Sequence, residues 1–154
     1  MSDFKAALAS HNFAQGMADE HLERILECVV GEAEFEDDEV IFRAGSQAYK
    51  VYLLLEGEVA LEVHSPARPH RILLTVGGGE TLGWSWLFEP YRWTFDARAI
   101  TPSKALVLDG SKIRTCIEDE PDLGVLVIKR IAGLVVDRLH ATRLQLLDLY
   151  ASST

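Results

Sequence analysis

The residues best suited to recognising a ligand are concentrated in one short stretch. All three tryptophans, Trp84, Trp86 and Trp93, fall within ten residues, with Phe88, Tyr91 and Phe95 beside them. Aromatic side chains at this density either fill a cavity or line one. Filling gives a domain that keeps its shape without a ligand; lining gives a pocket for a flat or apolar molecule. Ser85 and Thr94 add hydroxyls that bind a polar group in the second case, or cap a short helix. Arg92 is the cation of the segment. It either faces the pocket and pairs with an anion, or lies on the surface and packs on Trp93 or Tyr91.

Other constellations point away from catalysis. His11, His21, His64, His70 and His140 lack ligand spacing. Only His64 and His70 can approach, across a hairpin, and without an inward acid beside them solvent exposure is expected, and no metal. Gly77-Gly78-Gly79 has no following Gly-Lys-Ser or Gly-Lys-Thr and opens no helix, so it reads as a turn and not a phosphate loop. No Ser-His-Asp or Cys-His motif stands out, and the chain is expected to be neither an enzyme nor the carrier of a cofactor. Cys28 and Cys116 sit in apolar helical patterns without C-x-x-C spacing. They read as buried thiols in a reducing compartment, not as a disulfide.

The 154 residues suffice for one core, and 48% hydrophobic with 25% charged residues fits a folded domain. The formal charge of −9, from 24 acids against 15 Lys and Arg, disfavours a nucleic-acid backbone as partner. The acids Glu32, Glu34 and Glu36 to Glu39 read as a solvated face. Without a signal-like N-terminus or an apolar run near the ~20 residues that span a bilayer, a cytoplasmic protein off the membrane is expected.

The elements that must position the aromatic segment are mainly strands. A helix is predicted over 19–30, with Asp19 as N-cap and Leu22, Ile25, Leu26 and Val29 on one face. Strands follow over 39–42, 50–55, 58–64, 71–76, 94–100 and 104–108, separated by turn residues. Close, regular spacing of short strands predicts a sandwich or barrel. A short helix runs from Asp109-Gly-Ser111 to about Ile117. A long one opens at Pro121, behind the acids Glu118 to Glu120, and reaches about Tyr150. Its stripe of Leu123, Val127, Ile131, Leu134, Val135, Leu139, Thr142, Leu146 and Leu149, widened by Leu126, Ile128, Val136 and Leu147, predicts packing on its own domain and on a second copy.

Four motifs in order give these elements a family likeness: Ile41-Phe-Arg-Ala-Gly45, Val51-Tyr-Leu-Leu-Leu-Glu-Gly57-Glu-Val59, Thr81-Leu-Gly83 and Ala97-Arg-Ala99. The chain resembles the cyclic-nucleotide-binding domain of catabolite-activator-type regulators and of the regulatory subunits of cyclic-nucleotide-dependent kinases. The resemblance runs from about Phe13 to about Tyr150. It implies a mainly β fold with flanking helices, a double-stranded β-helix or jelly roll, and a long C-terminal dimerisation helix. The whole of 1–154 then reads as one domain, with lead-in, roll and short helix over about 13–117 and the long helix over about 121–150.

In that family a phosphate-binding cassette typically reads Gly-Glu-x-x-Leu and, further on, Arg-x-Ala. Its glutamate binds the ribose 2'-hydroxyl, its arginine the cyclic phosphate, and a short helix's N-terminus completes the anion site. Here Gly83 and Leu87 fit, Trp84 replaces the glutamate, and Trp84 has no side-chain acceptor. Arg92 stands for the phosphate arginine only with one extra residue in the following strand; counting back from Ala97-Arg-Ala99 puts Trp93 there instead. The resemblance therefore implies a stand-alone effector-sensing module, with Gly83, Trp84, Ser85, Trp86, Leu87, Arg92, Trp93 and Thr94 as candidate ligand-binding residues and an altered small-molecule effector. A ligand-free dimerisation module and a true cyclic AMP or cyclic GMP binder are the alternatives. Related regulators continue into a DNA-reading domain; with this chain stopping at Thr154, action through a protein partner is expected.

Overall fold

Strands form here where apolar residues run unbroken, or alternate with acids, between turns that only glycine or short polar residues tolerate. A computed structural model describes residues 2–63 and 71–153 of the chain. Among these, α1 (Ser2–Ser10), a 3-10 turn (Asn12–Ala14) and α2 (Asp19–Leu26) precede the strands β1 (Val29–Phe35), β2 (Val40–Phe42), β3 (Lys50–Glu56), β4 (Glu58–Val63), β5 (Arg71–Gly77), β6 (Asp96–Ala99) and β7 (Ser103–Asp109). Then α3 (Gly110–Asp119) and α4 (Pro121–Ser153) follow. The strands pair antiparallel into two sheets, ordered β1-β7-β3 and β2-β6-β4-β5, which face each other as a jelly roll. One buried apolar cluster extends from Leu8 through the roll to Ile131 on α4.

Local chemistry sets the boundaries. Gly57 turns β3 into β4 at φ +98°, and a Cβ there would stand 2.2 Å from Ser103 Oγ and 2.7 Å from Pro102 O. Asp109 caps α3, its carboxylate accepting from Ser111 N and Lys112 N. Pro121 opens α4, as its missing N–H allows.

Several sequence expectations are corrected. Helix α2 stops at Leu26, and Val29 and Val30 already belong to β1, whose pairing with β7 outweighs the helical period. Asp19 is the first residue of α2 rather than its cap; Ala18 holds that position without a side-chain bond. Strand β6 starts at Asp96 because Thr94 and Phe95 form a bend. Helix α1 has no counterpart in the sequence reading. Glu32, Glu34 and Glu36 to Glu39 are exposed, as a solvated face requires. His64 and His70 lie outside the described residues.

Helix α4 has two faces. Leu123, Val127 and Ile131, expected at the dimer interface, are buried on the chain's own roll. Leu134 and Val135 are half-buried, and Leu139 is 57% exposed. The side chains of Leu146, Leu147 and Leu149 lie outside the described residues. A separate row of Val125, Ile128, Ala132, Val135, Leu139 and Thr142 advances by alternating steps of three and four, and Val125 and Ile128 are 53% and 45% exposed. No helix among the described residues is long and apolar enough to cross a membrane.

Candidate functional site

The aromatic segment links β5 to β6 and closes one end of the roll. Leu82 N donates to Tyr52 O at 3.0 Å, which pins the segment's start to β3. Gly83 follows, pressed so closely that a Cβ would stand 2.9 Å from Trp93 Cζ3 and 3.4 Å from Phe95 Cζ. From Trp84 to Tyr91 the chain makes turns rather than a helix, with Leu87 N donating to Trp84 O at 3.0 Å and Tyr91 N to Phe88 O at 2.9 Å. The short helix implied by the resemblance is thus not formed.

Trp86 and Trp93 pack as core. Trp93 is buried and stacks on Phe42 with centroids 3.7 Å apart and planes 8° from parallel. Phe95 and Tyr52 each lie 5.9 Å from Phe42, so four rings form one contiguous group. Trp86 is fully buried and its indole N–H donates to Gly83 O at 2.9 Å. Ser85 is buried, and Trp84 and Leu87 are half-buried against the core. Phe88 is exposed. Beside the rings an open cleft of about 260 Å³ remains, lined by Ile41, Phe42, Gln47, Tyr49, Tyr52 and Trp93 among others. Small-molecule pockets usually hold roughly 300–1,000 Å³.

Of the two positions open to Arg92, the structure shows the surface one. Arg92 is exposed, its guanidinium donates to Gly45 O at 2.8 Å, and its backbone bridges Gln47. Thr94 is exposed as well. Trp93 and Phe95 turn inward and Arg92 and Thr94 outward.

Two arginines missed in the sequence hold the segment from the helices. Arg114 on α3 donates to Trp86 O at 2.5 Å and lies over Tyr91, 4.1 Å from its ring centroid. Arg138 on α4 is 7% exposed, donates to Leu82 O at 2.9 Å and to Thr81 O, and lies 5.3 Å from the Trp84 centroid. Its partners are carbonyls and its buried Nε has none, so burial pushes its pKa down to about 10. A signal existed: Arg138 continues the spacing of Leu123, Val127, Ile131 and Leu134 along the roll-facing side of α4.

The arginine of Ala97-Arg98-Ala99 is engaged in the sheet. Its guanidinium meets the buried Glu62 carboxylate through two bonds of 3.1 and 2.8 Å and also reaches Asp38, and these carboxylates hold its pKa above the usual value.

The sequence pattern of the cyclic nucleotide-binding domain matches residues 32–120. The chain belongs to this family. Over 90% of its length it is 30% identical to a Geobacter metallireducens protein named for cyclic-nucleotide binding, covering 97% of that chain with a TM-score of 0.74. The catabolite activator protein of Thermus thermophilus superposes on 91% of this chain and 63% of its own, with 26% identity and a TM-score of 0.69. A CRP-like cAMP-activated global transcriptional regulator of Mycobacterium tuberculosis is 25% identical over 116 residues, 75% of this chain. The chain spans half the length of that regulator and 29% of a Rhodopseudomonas palustris protein named for a potassium channel, to which it is 28% identical. The cyclic-nucleotide-binding-type roll and the long C-terminal helix are thus family features of this protein.

Proposed function

We propose that this cyclic-nucleotide-binding-type domain is a regulatory, non-catalytic module whose own aromatic side chains occupy the place of the effector. The observation that carries this reading is Trp93, stacked on Phe42 and lying against Gly83. In the family's register Trp84 stands where the ribose acceptor is expected and Trp93 where the phosphate cation is expected. Neither side chain can accept from a ribose hydroxyl or pair with an anion through charge. Arg114 and Arg138 tie the segment to α3 and α4 through bonds to the carbonyls of Trp86, Leu82 and Thr81. The domain then works in one fixed state, as a cytoplasmic dimer joined through α4 that acts on a protein partner.

The test is thermal unfolding with cyclic AMP, cyclic GMP and common metabolites at millimolar concentration. The expected result is an unchanged midpoint and unchanged tryptophan emission. Ligand at 100 times its Kd adds about 2.7 kcal/mol, a shift of several degrees. A shift with a cyclic nucleotide would restore the family's usual effector, and a shift with another compound would establish an altered one; either overturns the self-filled reading. Conversely, Trp84→Glu combined with Trp93→Arg should create a midpoint shift with cyclic AMP or cyclic GMP that the parent lacks.

A further inference from the structure

The geometry points to an oxidisable dithiol at Cys28 and Cys116, which closes to an intramolecular disulfide and ties the end of α2 to α3. Neither thiol takes part in the aromatic site. They are 88 residues apart in sequence, both are buried, and their Sγ atoms lie 3.8 Å from each other. A disulfide requires about 2.05 Å, so closure needs a sulfur displacement of just under ~2 Å. The backbones on both sides are pinned. Cys28 N donates to Ile25 O at 2.9 Å, Cys28 O accepts from Asp109 N at 2.8 Å, and Cys116 O accepts from Glu120 N at 2.9 Å. The movement therefore falls to side-chain rotation inside a fixed frame.

Burial pushes the Cys28 thiol up to about 12. Arg24, bonded to Glu27 and Glu120 on the exposed side of this junction, lies within electrostatic reach of Cys116. With hydrogen peroxide as oxidant, one of the two sulfurs, as its thiolate, attacks one peroxide oxygen and the O–O bond breaks. The departing hydroxide takes up a proton and leaves as water. The other sulfur then attacks the sulfenic sulfur, the S–S bond forms, the S–O bond breaks, and the proton of the attacking thiol leaves in a second water. Two thiols are oxidised by two electrons and one peroxide is reduced to two waters.

The link would lie at the root of α4. Helix α3 passes through Glu120 directly into Pro121, and a Cβ on Gly124 of α4 would stand 2.8 Å from Ile117 O of α3. Fixing α3 to the α2–β1 junction fixes the base from which α4 extends.

The test treats the folded full chain with hydrogen peroxide, quenches, denatures, alkylates, and reads intact mass. The expected product is a single chain about 2 Da lighter than the reduced form, without alkylation, and reverted by a thiol reductant. Its thermal midpoint should stand several degrees above that of the reduced chain, because the bridge closes a long loop. Cys28→Ser and Cys116→Ser should each abolish the shift while leaving the far-UV spectrum unchanged. Full alkylation of both cysteines after oxidant, cross-linking between chains, or bridging only with loss of the folded spectrum would each overturn the inference.

Discussion

His11 is buried with both ring nitrogens engaged: Nδ1 accepts from Phe13 N at 3.0 Å, so the proton sits on Nε2 and is donated to Glu80 O at 3.2 Å. Burial holds its pKa below the ordinary 6.5, because the neutral ring is the form that fits both bonds. Below 6.5 the unfolded chain takes up a proton that the folded chain refuses, so the contribution of His11 is complete above 6.5 and is lost as pH falls. Thermal midpoints at about pH 7 and about pH 5 should drop less for His11→Gln than for the parent; equal drops would refute the assignment. Arg138 makes the complementary case of a buried cation. Arg138→Met keeps much of the stem's packing but removes the donors to Thr81 O and Leu82 O, at about 1–3 kcal/mol for each carbonyl left unpaired. Amide exchange should then rise together at 81–84 and along α4, which a purely local defect would not produce.

The turn at Gly83 depends on the absence of a side chain, so Gly83→Ala should lower stability by about 1–3 kcal/mol as its methyl meets Trp93. Chemical denaturation with unchanged m-value would read this directly. The same segment shows how far elements were legible in the sequence. Strands β3, β4, β5 and β7 carry apolar runs bounded by glycine or proline turns and were readable, as were α3 and α4 from their opening residues. Strand β1 was not, because Val29-Val-Gly-Glu-Ala-Glu-Phe35 begins in register with the helical period of α2 and is chosen by its ladder with β7. The density of tryptophan marked the site, yet whether the rings line or fill the roll depends on Phe42 and Tyr52, brought from β2 and β3. Arg138 was hidden as a cation within an apolar stripe. The meeting of Cys28 with Cys116 was hidden because no local period relates residues 88 apart.

At the scale of the molecule, α4 is about 50 Å long at 1.5 Å per residue, and the roll covers only one of its faces. The row of Val125, Ile128, Ala132, Val135, Leu139 and Thr142, exposed except at the half-buried Val135, keeps the alternating three-and-four spacing that lets two helices wrap with their apolar seams together. In the sequence the same spacing continues to Leu146 and Leu149. The small Ala132 allows close approach at the middle of the seam. The protein should therefore sediment at twice its 17.1 kDa chain mass. Ile128→Glu, 45% exposed in the isolated chain, should yield a folded monomer, because the carboxylate is harmless in water but unpaired and desolvated in a dimer seam. Leu123→Glu serves as the contrast: Leu123 is fully buried on the roll, so a charge there should unfold the domain rather than dissociate it. Sedimentation and far-UV spectra on the two variants separate the faces. A parent that sediments as a monomer, or an Ile128→Glu variant that remains dimeric, would place the partner contact off this row and leave the exposed valines and leucines of α4 to another surface.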